Sequence, residues 1–151
     1  MILFSDTSAL VKLYIAEPGS ERMREAATRG EPVAASVLAF AEIHVTFARR
    51  RREELLLATE LEQLRLGFAD DWEKLTQIPI GAAVLNLVPG LCGRYPLRGA
   101  DAVHLASALL LHEEGLQVIF ACSDRTLLGA AAAEGLATFD PASEERVFPP
   151  G

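Results

Sequence analysis

The chemistry this chain offers lies mainly in four carboxylates. Asp6 follows the apolar run Ile2-Leu3-Phe4, and Asp124 follows a second such run, Gln117–Ala121. Glu42 stands in the stretch Val37–Val45, which is apolar nearly all round, and Asp101 opens the apolar stretch Ala102–Leu111. Each acid has a plain structural use. An Asp between strand and helix caps the helix by accepting from its free N–H groups. An acid in a first helical turn is favoured by the helix dipole. A carboxylate on a buried helix needs a proton, a donor or a cation. No Lys or Arg lies within one turn of Glu42, which leaves a distant arginine or a metal as its partner. A parallel sheet can bring all four acids to one edge, where they repel each other unless protonated or bridged by cations. Ligands that are oxygens only suit Mg²⁺ or Mn²⁺ rather than zinc.

Several neighbours bear on the same chemistry. Ser8 and Ser123 flank the acids and could bind water or phosphate, or serve only as helix-start hydroxyls, the reading favoured for Ser123. Arg98 and Arg125 lie beside acids and are candidate phosphate ligands. His104, three residues after Asp101 on the same helical face, reads as a core histidine before a general base. Cys122 reads as a small buried hydrophobe. The run Arg49-Arg50-Arg51-Arg52 is the one basic cluster. A solvated helix end explains it, and an RNA track or a dock for an acidic partner is the functional alternative.

The elements that must position these groups alternate between short β-like runs and helical stretches, the pattern of βαβ units around a mostly parallel sheet. Strands are predicted at Ile2–Phe4, Pro32–Ala35, Gln117–Ala121 and Leu136–Phe139, with a bridging segment or short strand over Trp72–Ile78. Helices are predicted from Thr7 to Ala16, from Pro18, from Val37 (with Ser36 as N-cap) to the arginines, and from Glu53 to Asp70. A further helix starts near Ile80, which Pro89-Gly90 should kink or split. The last two run from Gly99 to Leu111 and from Ser123-Asp124 to about Gly135, ahead of a Pro-rich tail.

The 151 residues fit one domain, 1–151, and half of them are hydrophobic, enough for a core without staples. Two cysteines without C-x-x-C spacing point to a reducing cytoplasm and away from a disulfide framework or zinc site. No signal peptide or membrane span is expected. A net charge of −7 argues against a protein that grips nucleic acid by bulk positive charge, though not against contact through a few arginines and metal.

The ordered set resembles the PIN-domain family. Phe4–Leu13 looks like its opening strand and first acid, and Ser36–Glu42 like the segment of the second. Arg98–Ala106 is the most specific match and carries the third acid, and Cys122–Leu127 is similar to the motif of the fourth. The resemblance covers Ile2 to about Phe139. It implies a three-layer α/β/α fold with a central mostly parallel sheet, and Asp6, Glu42, Asp101 and Asp124 as catalytic metal ligands. It also implies an endoribonuclease dependent on Mg²⁺ or Mn²⁺. For the small VapC branch it implies the toxin of a VapBC-type pair, a homodimer inhibited by a cognate antitoxin. The alternatives are an RNA maturation or decay nuclease without antitoxin, and a catalytically silent binding module. A haloacid-dehalogenase-like phosphatase would want a second Asp two residues after Asp6, where Ser8 stands.

Overall fold

The strands decide where the acids stand. In a computed structural model that describes residues 1–143, β1 (Ile2–Ser5), β2 (Val33–Ser36), β3 (Thr76–Ile78), β4 (Val118–Ala121) and β5 (Ala137–Phe139) form one sheet in the order β3-β2-β1-β4-β5. Every pairing is parallel. All carboxyl ends therefore share one edge, and each connection must cross over through helix. The chain steps outward from β1 to β2 and β3, then returns to β4 on the other side of β1. That reversal makes the β1/β4 crevice a topological switch point, the usual ligand site of open parallel sheets.

The helices are α1 (Thr7–Leu10), continued by a 3₁₀ turn over Val11–Leu13, then α2 (Ser20–Ala27), α3 (Leu38–Arg52), α4 (Ala58–Lys74), α5 (Ala82–Arg94), α6 (Gly99–Glu113) and α7 (Arg125–Ala133). Strand alternation divides them into two layers. Ile2, Phe4, Ala34, Ile78, Val118 and Phe120 face α5, α6 and α7. Leu3, Ile119 and Ala121 face α1 and α2, and Ala35 packs with α3 and α4. The result is the expected α/β/α sandwich. Phe4 and Phe120 are register partners whose rings stack at 5.7 Å, and both are fully buried. Burial of each stabilises the β1/β4 seam by about 2 kcal/mol.

Several boundaries differ from expectation for local reasons. The helix after Asp6 tightens into a 3₁₀ turn and stops at Leu13, short of the expected Ala16, and Pro18 then disfavours helical geometry at Glu17. The next helix opens at Ser20, after Gly19 at φ 93°. A Cβ on Gly19 would lie 2.6 Å from the Pro141 carbonyl, so this turn requires glycine. Ser36 ends β2 rather than occupying the N-cap, although its hydroxyl still accepts from Leu38 N at 3.2 Å. Glu53–Leu57 is a connection with Glu54 at φ 59°, and α4 starts only at Ala58, with Glu60 accepting from Leu57 N at 2.9 Å. Trp72 belongs to α4, which leaves β3 just three residues.

Pro89 does not split α5, which continues to Arg94. A proline inside a helix costs about 3 kcal/mol. Val84 and Leu91 are buried against α6 and Leu87 and Val88 partly so, and at about 1.5–3 kcal/mol for a fully buried side chain they outweigh it. Nor is α3 buried all round: Ala39, Ile43 and Phe47 face inward, while Phe40 and Val45 are exposed. The expected Pro-rich tail falls mostly beyond Ser143, outside the described residues. Among the described residues no helix is long and apolar enough to cross a membrane.

Candidate metal centre

Asp6 leaves β1 with extended geometry (φ −74°, ψ 176°) and caps α1. Its Oδ1 accepts from Ala9 N at 3.0 Å and from Ser8 Oγ at 2.8 Å. The capping role and a metal role do not exclude each other, since the cap occupies Oδ1 and Oδ2 meets only the Ser8 hydroxyl, at 3.0 Å, which Oδ1 shares. The residue is 4% exposed. Burial pushes its pKa above the ordinary carboxylate value, against the opposing pull of the Ala9 N–H, His104 and the Ser8 hydroxyl. Ser8 Oγ also accepts from Ser123 N at 3.0 Å. This ties the end of β1 to the end of β4.

Asp124 repeats the arrangement one strand away. It caps α7, with Oδ1 accepting from Leu127 N at 2.9 Å, and its own N–H points to Cys122 Sγ at 3.2 Å. Asp101, in the first turn of α6, is partly buried. Burial raises its pKa and the nearby Asp124 charge raises it further, while His104, the Arg98 backbone and the Arg98 charge pull it down.

Glu42 is held differently. Its side chain is 36% exposed, and Oε1 meets His104 Nε2 at 2.6 Å and Thr7 Oγ1 at 2.8 Å. The His104 hydrogen bond holds its pKa below the usual carboxylate value, with help from Thr7 and against the effect of burial. The side-chain partners it has are thus His104 and Thr7, not a distant arginine. His104 is 2% exposed, and its field reaches Asp6, Glu42 and Asp101 alike. Of the acids, only Glu42 touches the imidazole; Asp6 and Asp101 feel its field without contact.

Ser8 is engaged with Asp6 and the backbone of Ser123, and Ser123 Oγ donates to Asp140 Oδ1 at 3.2 Å. Both hydroxyls therefore organise the edge. Arg98 and Arg125 are exposed beside it. Within the basic run, Arg50 lies 3.5 Å from Glu17 and Arg51 donates to Leu56 O at 3.1 Å, while Arg49 and Arg52 are exposed without a hydrogen bond or ion pair among the described residues. Thr7 and the true partner of His104 escaped sequence reading. The only signal for His104 was its i+3 spacing from Asp101, and for Thr7 its place beside Asp6.

A hard divalent cation fits this donor set. The candidate ligands are carboxylate oxygens, Asp6 is a desolvated acid, and the Asp124 charge raises the pKa of Asp101, which a cation would relieve. Among the described residues, no three His, Cys, Asp or Glu side chains are drawn close enough to form a ready-made cage.

A family model described as PIN domain matches residues 3–140. The chain is 34% identical over 134 residues to Ribonuclease VapC45 of Mycobacterium tuberculosis, covering 89% of this chain and 92% of that one. It is 31% identical over 144 residues to Ribonuclease VapC47 of the same organism, covering 93% and 97%. Among solved structures, FitAB bound to an IR36 DNA fragment is similar at a TM-score of 0.66 and 19% identity, covering 97% of this chain and 99% of that one. VapBC2 from Rickettsia felis, bound to a DNA fragment from its promoter, is similar at a TM-score of 0.64 and 13% identity, covering 93% and 98%. At these identities the structures establish the fold.

Proposed function

The chain belongs to the PIN-domain family, and from that premise we propose that it is an endoribonuclease and the toxin of a toxin–antitoxin pair. Asp6, Glu42, Asp101 and Asp124 would hold Mg²⁺ or Mn²⁺ for hydrolysis of RNA phosphodiester bonds. The observation that carries this reading is the placement of the acids at the switch-point edge: Ser8 ties Asp6 to the end of β4 beside Asp124, and Glu42 is hydrogen-bonded to Thr7, next to Asp6, and to His104 on the helix that Asp101 opens. The ribonuclease relatives supply the reaction class.

A bound divalent ion would supply a water of lowered pKa and neutralise charge building on the phosphate. The protein's own groups do the positioning. The α1 and α7 N-termini orient Asp6 and Asp124 through one oxygen each, and Ser8 fixes Asp6 from the side. Arg98 and Arg125, exposed at the same edge, would meet the phosphates flanking the scissile bond. Few charges are needed there, so the net −7 of the whole chain is no obstacle. The partners proposed are a second copy of this chain and a cognate antitoxin, in line with similar structures that are toxin–antitoxin complexes. Exposed apolar residues such as Phe40, Val45, Leu66 and Leu85 are surface that such partners would cover.

The test is cleavage of total RNA by the purified protein with Mg²⁺, with Mn²⁺, with EDTA, and by Asp6→Asn. Cleavage is expected with either ion and lost in EDTA and in the variant. Undiminished cleavage by Asp6→Asn removes the assignment.

A further inference from the structure

Glu42 stands apart from the other acids because no backbone N–H holds it. Its two partners come from different elements, Thr7 from α1 and His104 from α6, and both reach the same oxygen. Thr7 Oγ1 lies 2.8 Å and His104 Nε2 2.6 Å from Oε1, and the two partners are 3.4 Å from each other. Among the described residues Oε2 has no hydrogen-bond partner. A carboxylate only accepts, so both the threonine hydroxyl and His104 Nε2–H donate to Oε1. His104 is 2% exposed and its Nδ1 is buried without a partner, so the ring has given up a hydrogen bond on one side while making a short one to Glu42 on the other. A histidine placed only to fill the core would not need an acid from another helix.

We propose that Thr7 and His104 are positioning residues that clamp Glu42 through Oε1 and leave Oε2 as the one oxygen it offers to a divalent ion. The inference rests on the reading of the four acids as a metal site. A free glutamate loses rotamer freedom when it is ordered. The clamp meets that cost on folding, so ion binding does not. Groups that orient a metal ligand from behind commonly change metal affinity by about 10–100-fold when removed. Thr7→Val keeps the shape of Thr7 and deletes one donor. His104→Leu deletes the other, and His104→Gln retains an N–H able to reach Oε1.

The experiment titrates the full-length protein with Mn²⁺ alone in a calorimeter, with melting of each variant in EDTA to establish that it is folded. Thr7→Val and His104→Leu are expected to weaken Mn²⁺ binding by about 10-fold or more, and His104→Gln to recover most of the loss. In a Glu42→Gln background, Thr7→Val should change the affinity no further, because there is no ligand left to position. A parent protein that takes up no Mn²⁺ overturns the metal reading and the clamp with it. A parent that binds Mn²⁺ while Thr7→Val binds equally well overturns the clamp alone. So does an equal loss on Thr7→Val in the parent and Glu42→Gln backgrounds, the mark of a merely structural threonine. Should His104→Leu fail to fold, Thr7→Val and the Glu42→Gln background carry the test unaided.

Discussion

The strand–helix junctions after β1 and β4 and the seam between α3 and α6 both present acids to the same edge, by opposite means. At the junctions, Asp6 and Asp124 are oriented by backbone N–H groups three residues ahead, Ala9 and Leu127. At the seam, Glu42 is oriented by side chains 35 and 62 residues away in sequence. A capping acid stabilises its own helix and keeps one oxygen for other work, so fold and site share a residue. The seam acid contributes nothing comparable to α3, whose stability rests on Ala39, Ile43 and Phe47 packing inward. Junction acids should thus be costly to truncate and cheap to neutralise, and the seam acid should answer mainly to its two side-chain partners.

The largest effect expected from this contrast is at Asp6. Asparagine keeps an oxygen for the Ala9 N–H but removes the charge, so cleavage should fall by about 10²–10³-fold or more. Burial raises the folded-state pKa of Asp6 above the unfolded value of 3.8. The stability linked to its proton is then present at low pH and lost as pH rises through the folded value. In EDTA at neutral pH, Asp6→Asn should therefore melt above the parent, with the gap closing as pH falls from the folded-state value toward 3.8. Mn²⁺ at about 100 times its Kd should stabilise the parent by about 2.7 kcal/mol and the variant far less. A variant that melts below the parent in EDTA would show the cap, and not desolvation, to dominate at this junction.

A smaller effect separates charge from cap at Asp124. Asp124→Ala should cost about 1 kcal/mol in urea unfolding, because Leu127 N loses its acceptor. Asp124→Asn should leave stability nearly unchanged. Equal losses in both variants would mean that the α7 cap carries no weight.

The smallest effect lies at the far end of α3. Arg50 and Arg51 are engaged with Glu17 and Leu56, whereas Arg49 and Arg52 are exposed. In the Asp6→Asn background, replacing Arg49 and Arg52 with Gln should lower the salt slope of RNA affinity by about 0.7 for each arginine that meets a phosphate. An unchanged slope would leave this run as a solvated helix end.

What could be read from residues alone follows the same division. β1 and β4 were legible to within a residue because short apolar runs ahead of Asp6 and Ser123-Asp124 have few other uses in an α/β chain. The caps were legible because a capping contact spans three residues. Pro89 misled, since the packing of α5 on α6 that overrides its local penalty involves residues far along the chain. The exposed flank of α3 misled too, because composition around a helix does not say which side a neighbour covers.

By itself the sequence determined a mostly parallel sheet of βαβ units and the places of the four acids on their elements, which follow from periodicity, capping and residue type over a few positions, while the third layer came with the family resemblance. Only the tertiary structure decided that Thr7 and His104 share one oxygen of Glu42, and that the serines hold the edge together. Those relations join residues tens of positions apart, and they exist only once the sheet has brought the ends of β1 and β4 side by side.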